Sequence, residues 1–400
     1  MKKLLLILLC LPLISLAQQT YVPDDNFEAY LEANGMGNGI TNDDSVLTAN
    51  INTLSYLNVS YQNISNLTGI EDFTALTFLD CKDNQINSLD LSSNLYLEFV
   101  ACYNNQLNSL DVSGLTVLWN LDCGNNNLTS LDLSNNTALQ EFSIYNNQLI
   151  SLDVSNNIML GILAASGNQL TSIDVSNNIY LSELSLYGNS LFSLDVVYNT
   201  NLVDLKCDGN QITNIDVSYN TALTHLYCAA NQLISLNVSQ NLSLTHLSCG
   251  TNPLTALDLS NNTALTNLDC FNGQLTTLDL SNNPALIYLI CKNGQLTSLD
   301  LRNGNNQLIS TMHCKNNLNL YCINVDDMSW STVNWTLSNN SIDSQQYFSN
   351  NCSGTGTEEL TTSKKLLKVT DLLGRETKQT NQPLFYIYDD GTVEKRIVIE

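Results

Sequence analysis

Residues 76–96 read LTFLDCKDNQINSLDLSSNLY, residues 97–117 read LEFVACYNNQLNSLDVSGLTV, and residues 118–138 read LWNLDCGNNNLTSLDLSNNTA. Laid over one another, the three lines agree at an apolar pair leading to Cys, at an Asn three residues after that Cys, and at a closing L-D-V/L-S. Self-similarity at a fixed short period signals a chain built of stacked, near-identical coils rather than separate globular domains. The period continues in both directions. Cysteines stand at 81, 102 and 123, then at 207, 228, 249, 270 and 291, while Ile144, Ala165 and Leu186 fill the three skipped steps. Cys314 follows after a two-residue insertion around Asn305 and Asn306. Ten units from Leu76 to Ala285 keep strict length, and looser units begin at Leu54, Leu286 and Ile309, giving about thirteen coils.

Within L-x-x-L-x-C the inward positions alternate, so each coil contributes a short strand with one buried face. Such strands stack in parallel, each coil burying its apolar edge only against its neighbours. The predicted fold is a mostly β solenoid, a rod or arc of roughly 60 Å at ~4.8 Å per strand. The recurrent Asn after the Cys (Asn84, Asn105, Asn126, Asn147) opens a turn, where its amide serves backbone groups the turn leaves unpaired. Gly273 and Gly294 replace it in two coils, where that row is expected to be interrupted.

The flanks differ from the repeat. Lys2, Lys3, the apolar run from Leu4 to Leu16 and Ser15-Leu16-Ala17 read as a signal peptide over residues 1–17. Residues 18–53 form an N-terminal cap in which Asp25-Asn26-Phe27-Glu28 suggests a capping box, with Phe27, Tyr30 and Leu31 on one helix face. The solenoid spans 54–320. Cys322 and Cys352 fall outside the register and bracket an aromatic segment, so they read as a disulfide stapling a C-terminal cap over 321–352. Residues 353–362 are a linker by composition. Over 363–400 a strand at Leu366–Asp371 and a hairpin around Asp389-Asp390-Gly391 outline a small β-sandwich-like tag.

The formal charge is −24. Between Gln18 and Thr357 the only basic residues are Lys82, Lys206, Lys292, Arg302 and Lys315, against thirty Asp and Glu. That surface repels phosphate backbones and anionic lipid, which argues against nucleic acid as a partner. No stretch has the ~18 uninterrupted apolar residues of a transmembrane segment.

The 21-residue coil with its cysteine column resembles the leucine-rich-repeat family, and in detail the bacterial internalin-type subgroup, over residues 54–320. Asp371, Gly374 and Arg375, Tyr386-Ile387-Tyr388, Gly391, and the pair Lys395-Arg396 resemble the C-terminal sorting domain of the bacterial type IX secretion system. That second resemblance implies export through the secretion machinery to the outer surface of a Gram-negative bacterium, or release from it. The expected function is binding of an extracellular protein or glycan through the strand-lined face; a passive surface or spacer protein and a secreted enzyme are the alternatives.

Three columns invite sharper readings. The cysteines point inward at a leucine position, where thiols pack as small apolar groups. In-register neighbours near ~4.8 Å are too far apart for a disulfide. The Asp column from Asp90 to Asp300, broken only by Asn237, either holds backbone amides of its own turns or forms a calcium rail. Glu183, Asp204, His225 and His246 share one exposed strand column that either holds a metal ion or is a solvated face. No nucleophile–base–orienter set can be singled out, so no catalysis and no cofactor are expected. What remains is a non-repeating set of rings predicted to be solvent-exposed on the sheet. They are Phe78, Phe99, Tyr103, Tyr145, Tyr187, Tyr227, Phe271 and Tyr288, with His225 and His246 flanking them. Tyr103, Tyr145 and Tyr187 share one column on alternate coils, and Tyr227 and Phe271 are read as continuing that row with a slight offset. Aromatic anchors are enriched at recognition surfaces; the plain alternative is drift among β-favouring residues.

Overall fold

The structure, a computed structural model, describes residues 18–352, 366–370, 376, 383–388 and 393–397. The signal-peptide segment, the linker and the sorting-signal residues Asp371, Gly374, Arg375 and Gly391 lie outside the described residues. The chain divides between Asn350 and Asn351 into two compact units.

The first unit is a leucine-rich-repeat β-solenoid. Thirteen three-residue strands, from Tyr56–Asn58 to Thr311–His313, form one sheet, every neighbouring pair parallel and in register. The middle residue of each strand is buried, as at Leu79, Leu121 and Leu226. The two flanking residues face outward on the same side. Immediately after each strand comes the cysteine column. All nine cysteines from Cys81 to Cys314 are buried free thiols. Burial raises their pKa values, Cys249 to about 12, which keeps them in the inert thiol form.

Three residues past each cysteine the asparagine row works as the sequence suggests. Asn147 Nδ2 donates to the carbonyls of Cys123, Ile144 and Tyr145, while its Oδ1 accepts from Leu128 N. The residue before it holds a left-handed φ (Asn125 at 48°, Asn146 at 50°, Gly167 at 63°), which explains the preference for Asn and Gly there.

A second asparagine column, in the turn that leads into each strand, is equally buried. Asn157 Nδ2 donates to Leu133 O and Asn136 O, but its Oδ1 finds no partner in the protein. Opposite the Gly273 and Gly294 coils the sequence reading missed a feature. The segments Thr277–Asp279 and Ser298–Leu301 become strands and continue through Cys322–Val325 to Tyr347–Ser349 as a second parallel sheet.

The N-terminal cap corrects the expected capping box by one residue. The helix Asp25–Ala33 is capped by Asp24, whose side chain accepts from Asn26 N and Phe27 N. Its other oxygen accepts from Ser65 N and Oγ, tying the cap to the first coil. Glu28 is buried and does not reach back to a cap. It accepts from Asp43 N and Asp44 N and so pins the following loop. At the other end, the helix Met328–Asn334 packs Trp335 against Trp330, edge to face at 5.4 Å, and against Phe348 at 5.7 Å. Cys322 and Cys352 are disulfide-bonded.

The described residues of the second unit form a three-stranded antiparallel sheet, Leu366–Thr370, Pro383–Tyr388 and Val393–Ile397. The third strand carries Lys395 and Arg396. No helix among the described residues is long and apolar enough to cross a membrane.

Candidate recognition face

The outward side of the thirteen-stranded sheet is ordered by column because strand register is uniform. Its first column carries Tyr56, Phe78 and Phe99 on successive strands. Rings on in-register parallel neighbours sit a strand spacing apart and stack. Tyr56 and Phe78 have centroids 4.6 Å apart, and Phe78 and Phe99 4.3 Å with only 6° between planes. Trp119 extends the group, tilted, at 6.3 Å from Phe99. Sequence reasoning missed Tyr56 and Trp119. Tyr56 stands one residue out of the strict period, and Trp119 sits one position before its strand, yet they are 58% and 37% exposed.

Farther along the same column, His225 and His246 stack at 4.3 Å, and Tyr227, two residues beyond His225 on the same strand, lies 6.2 Å from the His225 ring. Tyr288 stands apart, paired in register with Asn267 and Thr311. Tyr103, Tyr145, Tyr187 and Phe271 occupy a different column, just past the cysteines. Phe271 is therefore in register with the tyrosines, and only Tyr227 is offset. The predicted row is split into an aromatic stack near the N-terminal end, a tyrosine column beside it, and an imidazole pair in the middle of the sheet.

The expectation that all these rings are solvent-exposed is corrected. Tyr187 is exposed, at 48%, whereas the other nine predicted rings are half-buried. Several lean on a neighbouring coil. The Tyr145 ring occupies the space a Cβ on Gly124 would need, and Phe271 does the same over Gly250. Burial and the Asp122 carboxylate raise the Tyr145 phenol to about 12.

Acidic groups line the same face. Burial pushes Asp122 up to about 6, although its Oδ1 accepts from Gly124 N at 3.1 Å. Asp208 and Asp269 are raised for the same reason. Two of the lysines on this face are engaged: Lys82 with Asp80 at 3.3 Å and beside the Tyr103 ring, Lys206 with Asp204 at 2.9 Å and beside Tyr227.

The long Asp column lies elsewhere, in the turns, and its geometry is local. Asp90, Asp132 and Asp174 each accept from the backbone N–H of the serine two residues on, at 2.9 Å. Hydrogen bonds from those serines hold the three carboxyls below the usual value. Asn237, the interruption, accepts the same bond from Ser239 N at 3.0 Å. An oxygen acceptor, not a charge, is what the position requires. Among the described residues no three His, Cys, Asp or Glu side chains converge on a point that could hold a metal ion.

No family model matches the chain, and no curated protein matches it. Solved structures do. The functional domain of InlJ from Listeria monocytogenes, described as including a cysteine ladder, aligns with TM-score 0.71 and 28% identity over 94% of this chain and 97% of that one. The internalin InlF of the same organism aligns with TM-score 0.69 and 22% identity over 84% of this chain and 97% of that one. The leucine-rich-repeat protein LIC12759 of Leptospira interrogans gives TM-score 0.56 and 22% identity over 70% of this chain and 74% of that one. In its coil, its parallel sheet and its column of buried thiols, the chain is similar to internalin-type leucine-rich-repeat proteins.

Proposed function

We propose that this chain is an exported binding protein that engages an extracellular protein or glycan through the outward face of its long sheet, without catalysing a reaction. The observation that carries this reading is the Tyr56–Phe78–Phe99–Trp119 stack. Coil geometry asks for no aromatic side chain at those outward positions, and a cluster of rings that still presents open area is the composition of a recognition hot spot. The likeness to internalin structures fits this role. In the same reading residues 363–400 act as the type IX sorting tag, and the Cys322 and Cys352 bridge closes the solenoid's C-terminal end.

The test is a binding screen of the full-length protein against immobilised extracellular proteins and matrix glycans, repeated with Phe78→Ala/Phe99→Ala. Loss of about 2 kcal/mol or more of binding is expected. Tyr219→Ala, exposed in a turn after Asp216, should leave binding intact. Equal binding by both variants would move the recognition surface off this face. Deleting residues 360–400 should hold the protein in the periplasm, and its normal appearance outside the cell would refute the tag.

A further inference from the structure

We propose that the first coils of the sheet face dock a protein segment carrying lysine or arginine side chains, with the aromatic stack as its footing and Glu98, Asp122 and Glu141 as its charge partners. The inference rests on the outward face being the recognition surface and adds the chemistry of what that surface takes.

The chain itself shows how a cation is held on this sheet. Asp80 ends its strand, and its Oδ1 accepts from Lys82 N at 3.3 Å. The Lys82 ammonium turns back to Asp80 Oδ2, also at 3.3 Å, and lies 5.4 Å from the centre of the Tyr103 ring on the next coil. Lys206 is held in a similar way, by Asp204 at 2.9 Å and the Tyr227 ring at 5.9 Å. A carboxylate on one side and the negative face of an aromatic ring on the other are what an ammonium or guanidinium favours.

Two coils after Asp80 the first arrangement recurs without its lysine. Asp122 stands in the column of Asp80, with Ala101 between them, and its Oδ1 accepts from Gly124 N at 3.1 Å. Tyr145 stands where Tyr103 does, and glycine takes the place of Lys82, with the Tyr145 ring leaning over it. Asp80 is only 6% exposed beside its lysine, whereas Asp122 is half-buried and stays reachable. Burial raises the Asp122 pKa, so its charged form is one that a bound cation would favour.

Two more carboxylates lie around the stack. Glu98 directly precedes Phe99, and its carbonyl accepts from Trp119 N on the next coil. Glu141 follows Phe99 and Asn120 along the strand column, where Asn120 Nδ2 donates to its Oε2 at 2.6 Å. Both are exposed, and neither they nor Asp122 form an ion pair among the described residues. Lys292 and Lys315 stand on the last coils. A neutral glycan would gain from the rings alone on such a face, but a basic segment gains from rings and carboxylates together.

Surface plasmon resonance of the full-length protein tests the proposal. The probe is an immobilised dodecapeptide of alternating arginine and serine, compared with the same peptide carrying citrulline, which keeps the side-chain shape without the charge. Glu98→Gln/Asp122→Asn/Glu141→Gln should weaken binding of the arginine peptide by about tenfold or more. Asp132→Asn/Asp153→Asn/Asp174→Asn removes the same charge from the turns, where Asn237 already serves as an acceptor, and should stay within about twofold of the parent. Melting temperatures of both variants report folding separately. Equal losses in the two variants, equal binding of the citrulline peptide, or no binding of the arginine peptide up to millimolar would each overturn the proposal. A partner or glycan from the binding screen that needs Phe78 and Phe99 but binds the acid variant as it binds the parent would also overturn it, while leaving the face intact. Failure of the face itself looks different, because Phe78→Ala/Phe99→Ala would then bind like the parent too.

Discussion

Nearly every regular coil buries two asparagines, one in the turn that leaves the strand and one in the turn that leads into the next, and the two are not equivalent. Asn147 uses its amide fully, donating to three carbonyls and accepting from Leu128 N. Asn157 donates twice and leaves its Oδ1 without a protein partner. The chain's own departures record the difference. Where Gly273 and Gly294 replace the first kind, the coil gains strand pairing on its far side, at Thr277–Asp279 and Ser298–Leu301. Where Leu115 replaces the second kind, the next asparagine, Asn136, still donates to Val112 O and Leu115 O as its counterparts do. Burial and recurrence alone do not measure the weight of a polar residue. The number of backbone groups it satisfies does.

The sharpest way to break this comparison is Asn147→Ala, which orphans Leu128 N and takes one of two donors from each of the carbonyls of Cys123, Ile144 and Tyr145. A loss of about 2 kcal/mol is expected from the shift in denaturant midpoint. A loss below ~1 kcal/mol would deny the column its structural role.

On the sheet face the same logic ranks two tyrosines in one column. Tyr145→Ala uncovers the surface over Gly124 and should cost about 1.5 kcal/mol. The exposed Tyr187→Ala should stay within ~0.5 kcal/mol. Equal losses would show that the neighbouring glycine does not set the burial.

Asn199→Leu imitates the natural Leu115. It should cost only about 1 kcal/mol, since a half-satisfied buried amide is removed along with its bonds.

Asp122→Asn sharpens the picture by pH. The folded carboxyl titrates at about 6 and the unfolded one near the ordinary 3.8, so the native state holds its proton longer. That difference costs stability as pH rises between those values. Asparagine preserves the acceptor for Gly124 N without the charge. It should gain about 1 kcal/mol at pH 7, after allowance for partial solvent contact, and nothing at pH 4. The Asp90 column runs the other way. Its lowered carboxyls contribute stability above the unfolded value that is lost as pH falls through the folded one. A monotonic pH profile would refute the pairing of these two signs.

The solenoid, its coil count and its inward cysteines were legible because they depend only on spacing within one coil. What escaped the sequence depends on contact between coils. The asparagine of S-x-N is plain in nearly every repeat, but its unpartnered Oδ1 follows from the turn's geometry. The rings seemed free because a single coil exposes them, and Gly124 and Gly250 beneath Tyr145 and Phe271 matter only once coils are stacked. Asp24 displaced Asp25 as the helix cap because it also serves Ser65, some forty residues later in the chain.

The cysteine column has a further consequence for how the chain matures. Folded, its nine thiols are sealed and held in their unreactive form. Unfolded, the same sulfurs are spread along a flexible chain, free to meet one another and any oxidant. Folding and oxidation therefore compete for the same atoms, and the outcome depends on which is faster. Stacking that starts in one place and spreads to its neighbours withdraws one sulfur per added coil from that contest. Ile144, Ala165 and Leu186 leave a central stretch with nothing to lose, where stacking can begin without exposure to oxidation.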